Sequence, residues 1–289
     1  MRRGQWHDAM PTPDALFAPG SVWLGVHDAL SARIAREAGV AAVWLSSYGV
    51  SASLKAAPDD SVVTAAEMRA VAGAVCRAAG PVPVVVDCDT GYGNTAVFTP
   101  IVRAYARTTP VAALCIEDKR FPKQNTLDAS GAEQLVPVAE FVSKLTAGVA
   151  MRLAHRPSLG LIARTEALAL GVGIEGTLAR MRAYAAAGAD ALLVQAKGPA
   201  DDLLAVGRRW KFESHLPLIC VPTSYPELAA ATWWGVGFDV VVRSHQLLQA
   251  AVAAQEELLG EIAAARTPPS AYGDRLAPHA EITRAVGDP

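Results

Sequence analysis

Short aliphatic runs alternate with longer Ala-, Leu- and Arg-rich stretches of helical period, without a break from Val22 to Arg266. Eight rounds predict eight strands: Val22 to Val26, Ala42 to Ser46, Val84 to Asp87, Ala113 to Glu117, Leu161 to Arg164, Ala191 to Gln195, Leu218 to Pro222 and Asp239 to Arg243. Nearly all are continuously apolar, as strands covered on both faces must be. Between them the spacing predicts helices over Leu30 to Ala38, Ala65 to Ala79, Phe98 to Ala106, Val138 to Ala154, Ile174 to Ala187, Asp201 to Trp210, Pro226 to Trp234 and Gln246 to Ala265. Gly39 and Gly188 stand where left-handed C-caps are wanted, and Thr64 where an N-cap is.

Eight β/α units predict one α/β domain, a (β/α)8 TIM-type barrel over residues 1–266, followed by a tail or arm over 267–289. An open doubly wound sheet would carry a Gly-rich turn after its first strand, and Gly25-Val26-His27-Asp28-Ala29 is not one. Two connections, Ser47 to Val63 and Asp118 to Pro137, exceed ordinary βα loops, and long loops at this face serve as lids or binding segments. The Pro-containing tail reads either as a disordered end or as an arm docked on a neighbouring subunit.

A barrel does its chemistry where its strands end, so the polar residues there are the candidates. Strand 3 ends in Asp87-Cys88-Asp89 and strand 4 in Glu117-Asp118-Lys119. Asp87 and Asp89, two apart in an extended segment, would point the same way, and Glu117 on the next strand converges with them. Three such carboxylates repel unless a cation joins them, and a hard oxygen-ligated ion, Mg²⁺ or alternatively Mn²⁺, fits where no His cluster or thiolate pair suits zinc. Arg164 ends an apolar strand, so it must pair with those carboxylates or with an anionic ligand. Ser46, Ser47 and Tyr48 close strand 2, where hydroxyls and backbone amides could take a carboxylate, although serines in a loop also serve as turn residues. Lys123 and Asn125 lie on the long loop after strand 4, which reads as a closing segment or as a solvated turn.

Composition narrows the class. Hydrophobic residues make up 52% of the 289 and charged residues 19%, which suits a well-buried sheet. With 26 basic and 28 acidic residues and no basic stripe, no nucleic-acid partner is expected. No run approaches the ~20 apolar residues of a membrane span, so no membrane partner is expected either. Four cysteines without a CxxC pair point to a reduced, cytoplasmic setting.

The chain resembles the phosphoenolpyruvate mutase and isocitrate lyase superfamily from about Gly25 to His245. The motifs are Gly25-Val26-His27-Asp28-Ala29-Leu30-Ser31, Trp44-Leu45-Ser46-Ser47, Pro58-Asp59, Asp87-Cys88-Asp89-Thr90-Gly91-Tyr92-Gly93-Asn94, Ile162-Ala163-Arg164 and Val221-Pro222-Thr223-Ser224-Tyr225. Most telling is Glu117-Asp118-Lys119-Arg120-Phe121-Pro122-Lys123-Gln124-Asn125-Thr126-Leu127, which is similar to the EDK-x5-NS signature of the mutases, with Thr126 for Ser. The C–C lyases of the superfamily carry a Cys in this loop and this chain has none. Phosphonopyruvate hydrolases resemble it but tend to have Thr where Asn125 stands. One departure is Gln195, where mutases usually have His.

The resemblance implies interconversion of phosphoenolpyruvate and phosphonopyruvate, or action on a close oxyanion analogue, with a 2-oxo-acid or enol phosphate as substrate. It implies Mg²⁺ on Asp87 with Asp59, Asp89 and Glu117, a substrate carboxylate at Ser46, a phosphoryl group held by Arg164, Asn125 and Gln195, and catalytic roles for Asp59, Lys123, Asn125 and Arg164. It also implies a homotetramer, a dimer of dimers, with the last helix exchanged between subunits. The alternatives are a phosphonopyruvate hydrolase, a C–C lyase, and a non-catalytic barrel that binds an anion.

Overall fold

The computed structural model describes residues 13–126, 134–264, 268, 272–273 and 275–286. Eight strands, β1 (Ser21–Val26), β2 (Ala42–Leu45), β3 (Val84–Asp87), β4 (Ala113–Glu117), β5 (Gly160–Thr165), β6 (Ala191–Val194), β7 (Leu218–Cys220) and β8 (Val240–Arg243), pair in parallel and in chain order into a closed barrel. A short helix, α1 (Pro13–Leu16), precedes β1, and α2 (Ala29–Glu37) follows it. Around the sheet come α3 (Ser47–Lys55), α4 (Ala65–Ala79), α5 (Thr95–Thr108), α6 (Val138–His155), α7 (Gly173–Ala186), α8 (Ala200–Glu213), α9 (Ala230–Gly235) and α10 (Gln246–Ala264). A last helix, α11 (His279–Val286), lies against α2 in the region read as a tail. Tail residues Pro269 and Pro289, and Leu127 at the end of the loop signature, lie outside the described residues.

The eight expected strands and their order are present, and the caps behave as the sequence predicts. Thr64 accepts from the Glu67 amide while Glu67 accepts from the Thr64 amide, a reciprocal cap at the start of α4. Gly39 and Gly188 have φ of 72° and 93°. The connection from Ser47 to Val63 is not a plain loop, because its first half is α3. Ser46 caps that helix by accepting from the Gly49 amide at 3.2 Å, a signal hidden in a run of small residues with weak periodicity.

The strands bury both faces, and alternation sorts their side chains. Trp23, Ala42, Trp44, Val85, Ala113, Cys115, Ile162, Leu193, Ile219 and Val242 form the cluster inside the barrel, which Leu16 and Phe17 at the end of α1 close from below. Their neighbours Val43, Leu45, Val86, Leu114, Leu161, Leu192, Cys220 and Val241 pack outward in the helix-facing cluster. All four cysteines are buried and unpaired, and no helix among the described residues is long and apolar enough to cross a membrane.

Closing β1 against β8 leaves no room at Gly25, where an added Cβ would stand 1.9 Å from the Ser244 carbonyl oxygen. Gly25→Ala is therefore expected to lower stability by about 3 kcal/mol in urea unfolding, whereas Gly235→Ala, in open space, should leave it within about 0.5 kcal/mol.

Candidate active site

Above the last apolar layer the inward alternation continues into polar residues. Ser46, Asp87, Glu117, Arg164, Gln195, Thr223 and Ser244 each stand two positions past an interior apolar residue, Trp44, Val85, Cys115, Ile162, Leu193, Val221 and Val242. A cavity of about 50 Å³ opens on this layer, room for on the order of four waters or a small acid. Asp59, Ser47, Tyr48, Asn125, Thr126 and His245 reach it from the connections. Of the sequence candidates, Ser46, Ser47, Tyr48, Asp59, Asp87, Asn125, Arg164 and Gln195 line this one space.

The helix α3 improves the case for an anion here. Ser46 is the cap of a helix that begins on the cavity wall, so the first-turn amides, which have no partner inside the helix, and the positive end of its dipole stand beside the cavity. The Ser47 hydroxyl is directed elsewhere, donating to Asp87 Oδ2 at 3.3 Å.

Asp87 and Asp89 do not share an extended segment, as their spacing suggests. β3 ends at Asp87, and Asp89 turns through a left-handed conformation with φ 51°. The turn is held by the Asp89 amide on Asp87 Oδ1 at 3.2 Å and by the Glu117 amide on the Asp89 carbonyl at 2.8 Å. Nor are Asp87, Asp89 and Glu117 gathered as a ligand set: among the described residues no three of His, Cys, Asp and Glu are. Each faces a cation instead. Lys123 Nζ lies 2.6 Å from Asp89 and 2.7 Å from Asp59. Arg164 lies 3.4 Å from both Asp87 and Glu117 and closer still to Glu166, and Lys119 is 3.6 Å from Glu117.

Charge counting tests whether a divalent metal suits this cluster. Five carboxyl groups, Asp59, Asp87, Asp89, Glu117 and Glu166, face three cations, Lys119, Lys123 and Arg164, an excess of two acidic groups. Burial, with the neighbouring carboxylates, pushes Asp59 up to about 7 and Asp87 up to about 6. Burial opposes ionisation of Glu117 too, but Lys119, Arg164 and Lys123 outweigh it and hold the carboxyl down at about 2. Lys123 is kept protonated by the acids around it in spite of its burial. Both Glu117 oxygens are buried and accept no hydrogen bond from a described residue. Buried, under-satisfied Glu117 oxygens among more acids than cations fit one hard dication.

The segment from Lys119 to Thr126 covers the cavity and is tied down on three sides. Lys119 donates to the Gln124 carbonyl and to the Thr126 hydroxyl at 2.8 Å. Lys197 donates to the Thr126 carbonyl at 2.5 Å. The Lys123 and Asn125 amides donate to Ser61 Oγ at 2.9 Å and Asp60 Oδ1 at 3.1 Å. This strap puts Lys123 into the carboxylate cluster and Asn125 over the cavity.

His245, Lys119 and Glu166 follow strand ends in the sequence, but nothing there assigns them a role. His245 follows β8 and its ring stands 4.7 Å from that of Tyr48. Burial, with Arg164 and Lys123 nearby, lowers it to about 4, so it is a neutral imidazole at pH 7. Its position just past a strand end was the available signal. Lys119 and Glu166 are fully buried, and, unlike Arg164, neither ends an apolar run that would mark it as buried.

A family model described as phosphoenolpyruvate phosphomutase matches residues 15–263. The chain is 37% identical over 274 residues to the phosphoenolpyruvate phosphomutase of Streptomyces hygroscopicus, covering 92% of this chain and 83% of that one. It is 34% identical over 245 residues to the phosphonopyruvate hydrolase of Variovorax sp. (strain Pal2), covering 83% and 81%. A crystal structure of phosphonopyruvate hydrolase in complex with oxalate and Mg²⁺ superposes with a TM-score of 0.84 at 30% identity, over 98% of this chain and 95% of that one.

The position of His245 sets a pH signature. Its folded-state value of about 4 lies below the ordinary 6.5, so the unfolded chain binds more protons in between, and this contribution to stability is lost as pH falls through that window. Raised Asp59 and Asp87 act in the opposite sense over the same range, so the His245 contribution is read as a difference: in urea titrations at pH 7, 6 and 5 the wild type should lose stability relative to His245→Gln as pH falls.

Proposed function

Because the chain belongs to the phosphoenolpyruvate mutase and isocitrate lyase superfamily, we propose that it interconverts phosphoenolpyruvate and phosphonopyruvate. In this reaction the P–O bond of the enol phosphate breaks and a C3–P bond forms, while the enolate becomes a ketone. The observation that carries the reading is the strap: Asn125 closes a cavity of about 50 Å³ that Arg164 also lines. A metaphosphate-like group in transit needs positioning and an absence of water more than covalent help.

The residues divide the task by position. The start of α3, with Ser46, Ser47 and Tyr48, suits the pyruvyl carboxylate. Asp87 with Asp59, Asp89 and Glu117 would hold Mg²⁺, and a bound Mg²⁺ neutralises charge on the pyruvyl oxygens. Arg164 and Asn125 stand where the migrating group would be held, and Gln195 adds an uncharged amide beside them. Lys123 binds the strap to Asp59 and Asp89, so it keeps Asn125 in place while countering carboxylate charge. Neutral His245 offers a hydrogen bond without adding charge.

A homotetramer, a dimer of dimers with α10 exchanged between subunits, belongs to the same reading. Val252, Leu259 and Ile262 on α10 are 46%, 62% and 49% exposed in the single chain, which supports burial by a partner. Light scattering should return a mass of about four times the 30.2 kDa of one chain; a monomer would refute the exchange.

The activity is tested by a phosphorus NMR time course with Mg²⁺ and phosphonopyruvate. Growth of a phosphoenolpyruvate resonance, abolished in Asp87→Ala and slowed roughly a hundred- to a thousandfold in Arg164→Lys, is expected. Inorganic phosphate without phosphoenolpyruvate would instead make the protein a hydrolase. An unchanged spectrum from folded protein would overturn both.

A further inference from the structure

Asp118 lies one residue from the carboxylate cluster, is fully buried, and points away from the cavity into a network of its own. Its Oδ1 accepts from the Glu166 amide at 2.9 Å. Its Oδ2 accepts from Thr165 Oγ1 at 2.8 Å, Tyr184 OH at 2.7 Å and Arg180 Nη1 at 3.1 Å. Arg180 and Tyr184 both belong to α7, on the helical layer outside the barrel. Four donors satisfy the carboxylate and one guanidinium balances its charge, which fixes its orientation in a way a solvated side chain is not fixed.

Two structures of the site are anchored by this group. One is Arg164. The Asp118 amide donates to the Arg164 carbonyl at 3.1 Å, and its carboxylate grips the next two residues, Thr165 and Glu166. Glu166 in turn accepts from Arg164 Nε, so the backbone that Asp118 holds is the mount of the carboxylate that aims the guanidinium. The other is the far end of the strap's loop. The Asp118 carbonyl accepts from the Val136 amide at 2.9 Å, and both terminal nitrogens of Arg180 donate to the Val136 carbonyl at 3.2 Å. Lys119 and Leu135 form an antiparallel bridge beside it.

We propose that Asp118, clamped by Arg180 and Tyr184, is a positioning residue that couples the base of the strap to the orientation of Arg164. Neither Asp118 nor α7 lines the cavity; the effect runs through Glu166 on one side and Val136 on the other. The part of the proposal that concerns turnover rests on the reading that Arg164 holds the migrating group. The part that concerns coupling does not.

The test compares Tyr184→Phe and Arg180→Met with Arg182→Lys, a control on the same helix whose side chain pairs with Glu213 at the surface at 2.7 Å. Amide hydrogen exchange of the full, unliganded chain is read first, because it needs no substrate. Faster exchange confined to residues 119–126, 134–136 and 165–166 in the two variants, and unchanged exchange in the control, is expected. Exchange raised evenly through the barrel, or unaltered in those segments, would overturn the coupling. In steady-state assays with phosphonopyruvate the variants should lose at least tenfold in kcat while their melting temperatures stay within a few degrees. A full kcat from a variant with a loosened strap would overturn the catalytic half. If the wild-type chain turns over no phosphonopyruvate but the exchange pattern appears, the coupling stands and the reaction assigned above falls.

Discussion

Strand alternation inside a closed barrel is the constraint from which the rest follows. Eight parallel strands in chain order leave no free edge, and each inward position is shared with its neighbours around the ring. Once Trp23, Trp44, Val85, Cys115, Ile162 and Leu193 fill the interior, the next inward residue on each strand has nowhere to point but the open end. That is why Ser46, Asp87, Arg164, Gln195, Thr223 and Ser244 meet around one cavity although they are scattered over some two hundred positions. Register adds a second restriction, since Glu117 pairs directly with Arg164 across β4 and β5, setting a carboxylate beside a guanidinium at the mouth.

Electrostatics then shapes what the connections do. A cluster of buried acids is costly unless cations reach it, and β5 of the barrel wall supplies Arg164 while the loop after β4 supplies Lys119 and Lys123. Because Lys123 lies on the strap, the segment that covers the cavity also carries a cation into the acids. The wall formed by β6 to β8 differs in character. Gln195, Thr223, Ser244 and the neutral His245 present polarity without charge. The cavity is thus charged on one side and uncharged on the other, an asymmetry suited to a ligand whose own ends differ.

The sequence was most readable where one local rule acted alone. Largely apolar runs of four or five residues identified every strand, and Thr64 followed by Glu67 identified a helix start. It was misread where two rules competed. In Ser47 to Lys55, small and hydroxylated residues suggest a turn, yet Ser46 as a cap and tertiary packing of Val50 make a helix. At Asp87 to Asp89 the two-residue spacing implied a shared face, but strand pairing stops at Asp87 and the chain turns left-handed.

By itself, then, the sequence determined the eight-fold alternation, the closed fold and the residues available at the strand ends, because periodicity and propensity are properties of neighbours along the chain. The motifs determined the family for the same reason. Tertiary structure alone decided which charge faces which. That Lys123 settles between Asp59 and Asp89, that His245 stays neutral against Tyr48, and that Asp118 turns from the cavity toward Arg180 and Tyr184 are outcomes of burial and contact between distant segments. Except at the end of an apolar run, as with Arg164, a charged side chain carries little mark in its own sequence neighbourhood of the dielectric it will occupy, and none of the partner it will meet, which the closed barrel supplies.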